Sequence, residues 1–228
     1  MKIGIIFAMQ EELVELKKFL TIENEYTIFN LKFYEGKIED VDCILVESGI
    51  GKVNAARTTQ ILIDNMKVDY IFNIGVAGGV SKDLSVGDIV IGDRLVQHDF
   101  NIVAFNHERG FVPDVGVYIN CDEYLVRLAK EVLMDSHIGV IASGDIFCTE
   151  PKMSEKINKK FNALCVEMEG ASIAQVCYLC HIPFLVLRSI SDVIYDKSNN
   201  KITYEKFLKN SSVKIAEAMQ KLIRKIKE

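Results

Sequence analysis

The chain has 228 residues, of which 49% are hydrophobic, with 27 Lys and Arg against 32 Asp and Glu and a formal net charge of -5. That balance belongs to a folded domain rather than a disordered chain, and the length suits one core. The acidic excess offers no broad attraction to nucleic acid or anionic lipid, and no run of 18 apolar residues is present to form a spanning helix.

The opening apolar stretch, Lys2 to Met9, is cut short by Gln10-Glu11-Glu12, too early for an export signal, so the expected location is the cytoplasm. Residues 3–7 read as a buried strand and 11–19 as a helix with Leu13, Leu16 and Leu20 on one face. Strands follow over 26–33 and 41–46, then a helix over 53–64 and a fully buried strand over 70–74. Residues 87–92 open another strand, 122–133 read as a helix and 139–142 as a short strand. A strand over 164–167, a helix over 172–180 and a continuously apolar strand over 184–189 come next. The last helix, from about 204 to 225, places Phe207, Leu208, Ile215, Met219, Leu222, Ile223 and Ile226 on one stripe. Strands alternating with helices predict an α/β fold with a parallel or mixed sheet. No Pro/Gly-rich linker or repeat interrupts it, so residues 1–228 are expected to form a single domain.

Six cysteines occur, and Cys177-Tyr-Leu-Cys180-His181 has the spacing of a haem c attachment site. The surrounding segment reads as a buried helix, where cysteine packs as a small apolar residue. No second ligand pair has zinc spacing, so neither metal nor cofactor is expected.

In α/β sheets, ligands bind beyond the carboxyl ends of the strands. Five strand exits carry unusual residues: Met9-Gln10-Glu11-Glu12, Glu47-Ser-Gly-Ile-Gly-Lys52, Gly75-Val-Ala-Gly-Gly79, Glu167-Met-Glu169-Gly170 and Arg188-Ser-Ile-Ser191-Asp192. The Gly49-Ile-Gly51-Lys52 turn fails as a phosphate loop, because Val46 stands where the first Gly belongs and Val53 where Ser or Thr should follow Lys. The stretch 75–79 has no bulky side chain, so its backbone, Gly78 included, is expected to meet a ligand. A lone Glu at a strand end is commonly a helix cap. Three carboxylates, Glu12, Glu169 and Asp192, converging near Arg188 are costly unless they hold hydroxyls, protons or a cationic transition state. That combination points to chemistry on a sugar.

The segments MKIGIIFAMQEEL, SGIGKVNAA, GVAGG, SVGDIV, SGDIF, VEMEGASIA and RSISD occur in this order along essentially the whole chain. Together they resemble the 5′-methylthioadenosine/S-adenosylhomocysteine nucleosidases of the purine nucleoside phosphorylase superfamily. The resemblance implies a mixed, partly barrelled sheet surrounded by helices, a homodimer, and adenine nucleosides as substrates. It implies Glu12 as the base that activates water and Asp192 as the acid to adenine N7, with Ser191 holding Asp192. Glu169 would bind the ribose hydroxyls, Met168 would pack on the sugar, Phe147 would stack on adenine and the Cys148 backbone would meet the adenine edge. Arg188 would support Glu12 and the water. Ile102, Phe105 and Pro113 would reach across the dimer to the 5′-alkylthio pocket, with Tyr204 as its aromatic lid.

The residue types suit that chemistry on their own terms. Adenine leaves well only when protonated, and an Asp, with a reference pKa of about 3.9, keeps a proton at neutral pH only when desolvated or bonded in its neutral form. Anionic glutamates favour the oxocarbenium character that ribose acquires as the bond breaks. The sequence departs from the family at Phe7, where Gly is usual, at Gln10, where an acid is usual, and at Val76, where a hydroxyl residue is usual. Three rival readings are a purine nucleoside phosphorylase, a nucleosidase for another 5′-modified adenosine such as 6-amino-6-deoxyfutalosine, and a non-catalytic nucleoside sensor. Phosphorolysis calls for arginines, and Glu12 would repel a phosphate.

Overall fold

Strand β1 (Lys2–Phe7) is apolar on both faces, as a strand at the centre of a covered sheet must be. The computed structural model describes residues 1–194 and 200–227, the side chains of 200–206 excepted. After β1 come α1 (Gln10–Lys17), β2 (Thr21–Ile28), β3 (Leu31–Ile38), β4 (Val41–Glu47), α2 (Lys52–Met66), β5 (Tyr70–Gly79) and β6 (Ile89–Gln97). Then follow β7 (Ile119–Asn120), α3 (Glu123–Val132), β8 (His137–Ser143), α4 (Pro151–Phe161), β9 (Ala163–Glu167), α5 (Gly170–Cys180), β10 (Phe184–Val193) and α6 (Asn200–Lys227). The expected α/β class with a mixed sheet is what forms.

Strands β5, β9, β8, β6 and β10 close on one another, because β10 pairs with both β5 and β6. From β5 the sheet runs on through β1, β4, β3 and β2 as an open wing. β1 lies parallel between β4 and β5, and β10 lies parallel to β5. β9 is antiparallel to β5 and parallel to β8. Closure brings the carboxyl ends of β1, β5 and β9 and the last residues of β10 to one rim.

Helix α6 packs on β10 and β5, with α1 beside it, while α2 and α5 pack together. Residues Ile215, Met219, Leu222 and Ile223 of α6 are buried on the stripe that the spacing predicts. The main core joins this stripe to Ile3, Ile5, Phe33, Leu45, Phe72 and Leu185.

Four expectations need correction. Residues 26–33 are not one strand: Phe29 and Asn30, both at positive φ (47° and 64°), turn the chain between β2 and β3. Two such residues make the tight hairpin whose twist matches the flanking strands, and β2 itself is mostly exposed, so it carries no apolar alternation. Helix α4 was not anticipated, although Pro151 at its start and buried Ile157 and Phe161 are ordinary helix signals. Residues 75–79 are not a turn but the end of β5, where Gly78 and Gly79 pair with Val166 and Cys165. Likewise β10 runs on through Asp192.

Ile5, fully buried in the central strand, tests the core. Ile5→Ala should cost about 2–5 kcal/mol in denaturant unfolding; a loss below about 1 kcal/mol would mean that this strand is not the packed centre.

Candidate active site

A cleft of about 640 Å³, its open mouth included, lies at the rim where these strands end. Its walls include Ala8, Met9, Glu12, Ile50, Val76, Gly78, Ile146, Phe147, Cys148, Glu167, Met168, Glu169, Ser191 and Asp192. That size suits a small ligand.

Glu12 stands on the first turn of α1 and is buried. Its Oε2 accepts the N–H groups of Ala8 and Met9, both at 3.1 Å, and its Oε1 accepts that of Val76 at 3.0 Å. Burial pushes its carboxyl above the usual range, against the opposing pull of these amides and of the Arg188 charge. A Cβ on Gly75 would sit 2.6 Å from Glu12 Oε1, so glycine there makes room for the carboxylate.

Asp192 owes its direction to a β-bulge. The pairing of β10 with β5 runs from Ile190↔Ala77 to Asp192↔Gly78, leaving Ser191 as the extra residue. A bulge re-aims side chains, and here Ser191 and Asp192 both face the cleft. Ser191 Oγ donates to Asp192 Oδ1 at 2.9 Å. Burial raises the Asp192 pKa to about 6, with the Ser191 bond acting against it.

Glu169 caps α5, and its Oε1 accepts the Gly51 N–H at 2.8 Å. The glycine turn that fails as a phosphate loop therefore holds a carboxylate instead. Burial, then the neighbouring Glu167 charge, raise Glu169 to about 7.

Glu167 carries more of the site than the sequence suggests. It accepts from Ser143 Oγ, Arg188 Nη2, the Gly170 N–H at 2.8 Å and the Glu169 N–H at 3.1 Å. Arg188 is buried and is not part of the cleft wall. Its direct partners are Glu167, Asn73 and the Leu187 carbonyl; it acts on Glu12 through charge, not through a hydrogen bond.

Gly78, Phe147, Cys148, Met168 and Ser191 all line the cleft. Ile102, Phe105 and Pro113 do not line it in this chain: Phe105 is 75% exposed beside the short 3-10 turn Val103–Phe105, Pro113 is also exposed and Ile102 half-buried. The Tyr204 side chain lies outside the described residues. Sequence reasoning missed Ile50, Ile146, Glu167 and the amides of Ala8, Met9, Gly51 and Val76. Backbone donors leave no residue-type signal, but Glu167, two residues from Glu169 on an apolar strand, was readable. Among the described residues no group of three or more His, Cys, Asp or Glu side chains is placed to hold a metal.

Residues 2–227 match the family model for the phosphorylase superfamily. A 5′-methylthioadenosine/S-adenosylhomocysteine nucleosidase of Geobacillus sp. (strain WCH70) is 39% identical over 229 residues, covering 98% of each chain. The S. pneumoniae enzyme of the same name, solved with the transition-state inhibitor MT-ImmA, superposes with a TM-score of 0.94 at 35% identity, over 99% of this chain and 100% of that one. A futalosine hydrolase of Helicobacter pylori strain 26695 gives a TM-score of 0.93 at 36% identity, over 97% of each chain. The chain belongs to the phosphorylase superfamily and, within it, to the 5′-methylthioadenosine/S-adenosylhomocysteine nucleosidase family.

The raised carboxyl groups make stability depend on pH in a definite direction. Asp192 and Glu169 bind protons up to about pH 6 and 7 when folded, against 3.8 and 4.5 as ordinary groups. Between those limits the folded state holds more protons than the unfolded one, so these groups lower stability as pH rises. The melting temperature should climb as pH falls from about 7 toward 5, and Asp192→Asn should flatten that slope. An unchanged slope in the variant would show that Asp192 titrates normally.

Proposed function

We propose that the protein hydrolyses the N-glycosidic bond of 5′-methylthioadenosine and S-adenosylhomocysteine, releasing adenine and the 5′-thioribose product. The observation that carries this reading is the pair of carboxyls in one cleft with different means of support: Asp192 raised toward neutrality, Glu12 held by three amides. Asp192 delivers a proton to N7 of adenine, while the Ser191 hydroxyl occupies its other oxygen. Anionic Glu12 orients and deprotonates the attacking water. Glu169 takes the ribose 2′ and 3′ hydroxyls, and with Glu12 stabilises the positive charge that grows on the sugar. Met168 packs on the ribose and Phe147 on the purine, with the Cys148 backbone and Gly78 beside the base. Arg188 holds Glu167 in register beneath Glu169 and lends Glu12 a positive field. Val76, with no hydroxyl, serves the site through its N–H.

Among the described residues, none that lines the cleft is Lys or Arg. A phosphate would meet four carboxyl groups and, among these residues, no matching cation, which favours water as the nucleophile. The likeness to a futalosine hydrolase gives a second substrate class, 6-amino-6-deoxyfutalosine, the same protonation chemistry with a different 5′ group. The 5′ end is where the two would separate, since apolar pockets discriminate weakly.

The partner subunit completes the 5′ pocket. Val53, Val103 and Phe105 are exposed apolar side chains, and a homodimer covers them, placing Ile102, Phe105 and Pro113 over the neighbouring cleft, with Tyr204 as a lid. All six cysteines are unpaired, which fits a reducing cytoplasm.

Adenine should be released from methylthioadenosine in phosphate-free buffer. Asp192→Asn and Glu12→Gln should each lose at least about 100-fold in kcat, the scale of a general acid or base, while keeping a folded spectrum. A strict need for phosphate, or near-normal rates in either variant, would overturn the assignment. A panel of 5′-substituted adenosines, including 6-amino-6-deoxyfutalosine, ranks the substrates. Light scattering should give a dimer that Phe105→Asp weakens, with a raised KM; a monomer at working concentration removes the cross-subunit role.

A further inference from the structure

Three residues, Lys52, Asp99 and Asp145, meet beside the cleft without lining it. Lys52 is the first residue of α2, directly after the Gly51 whose N–H holds Glu169. Asp99 follows β6, on the way to the exposed turn at Val103–Phe105. Asp145 belongs to the segment 144–150 between β8 and α4, which has no regular secondary structure and carries Ile146, Phe147 and Cys148 into the cleft.

These three residues form a closed ring of hydrogen bonds. The Lys52 ammonium donates to Asp99 Oδ1 at 2.7 Å. The Asp145 N–H donates to the other oxygen, Asp99 Oδ2, at 3.0 Å. Asp145 Oδ1 in turn accepts the Lys52 N–H at 2.8 Å. Lys52 also donates to Gln97 Oε1 at 3.0 Å, and Gln97 reaches Gln175 of α5 at 2.6 Å. Both side chains of the ion pair are only 17% exposed, so solvent screens it less than a surface pair. Burial acts upward on the Asp99 carboxyl, but the Lys52 and Asp145 bonds outweigh it and hold the group below its usual range. The ring therefore stays closed at neutral pH.

We propose that Asp99 is a positioning residue for nucleoside binding: by engaging Lys52 and the Asp145 amide at once, it latches the purine-facing segment 144–148 to the turn that holds the ribose carboxylate. The proposal rests on the nucleoside reading of the cleft. Apart from the ring, the Gly144 N–H to the Glu167 carbonyl, at 3.1 Å, ties the start of this segment to the site. Phe147, which this segment carries into the cleft, is 51% exposed. Opening the latch should thus weaken purine binding while leaving the acid and the base in place.

Asp99→Asn keeps the size of the side chain and removes its charge. We expect KM for methylthioadenosine and the dissociation constant for adenine, measured by calorimetry, to rise together by about tenfold, the scale of one charge-assisted hydrogen bond, with kcat little changed. Lys52→Met should do the same by opening the ring from its other side. The double variant should lose no more than the worse single variant, because both act through one contact. Unchanged KM and adenine affinity in a variant that melts like the parent would overturn the latch. So would a fall in kcat at constant KM, which would put Asp99 in the chemistry. Adenine affinity reads the latch even if turnover of methylthioadenosine fails, so failure of the proposed reaction and failure of the latch are separable.

Discussion

One buried cation sets the terms for the rest of the site. Arg188 lies inside the closed part of the sheet, bonded to Glu167 and Asn73, and three further carboxyls stand close enough to line the cleft beyond it. A charge this deep is tolerable only when it is paired; both Nη atoms have partners, while Nε has none among the described residues. Glu167 supplies the pairing, and the amides of Glu169 and Gly170 share Glu167, so the guanidinium is linked through one carboxylate to the start of α5. Removing either charge would leave the other stranded, and the cap that aims Glu169 would go with it. Fold stability and the placement of Glu169 are therefore one problem.

The acids of the cleft differ in their surroundings. Glu12 and Glu169 sit within the field of Arg188, whereas the influences on Asp192 are burial and the Ser191 hydroxyl. Burial raises all three, Glu169 to about 7 and Asp192 to about 6, and the Arg188 charge opposes that rise at Glu12 and Glu169. The β10 bulge turns Asp192 into the cleft only four residues beyond Arg188 on the same strand.

Much of this was legible in the sequence. The buried strands 3–7, 70–74 and 184–189 were clear because a strand covered on both faces is continuously apolar, and the α6 stripe was clear because it faces a single layer. The hairpin at Phe29 and Asn30 was not, since β2 is solvated and Phe is a poor turn signal. Residues 75–79 and 188–192 were read as exits because glycines and charges ordinarily end strands. Here they continue it, since β5 and β10 close a barrel whose last pairings depend on tertiary register. Asp192, Glu12 and Glu169, the proposed acid, base and ribose ligand, stood out as residue types in recurring segments. The partners of Arg188 did not, because ion pairing between β9 and β10 is a fact of packing, not of spacing.

Glu12 is gripped entirely by main-chain amides, from positions 8, 9 and 76. Any residue except proline offers the same N–H, so mutation can rewrite those three side chains without loosening Glu12. The lineage is thereby free to drift along one wall of its cleft while the grip on this carboxylate is inherited unchanged.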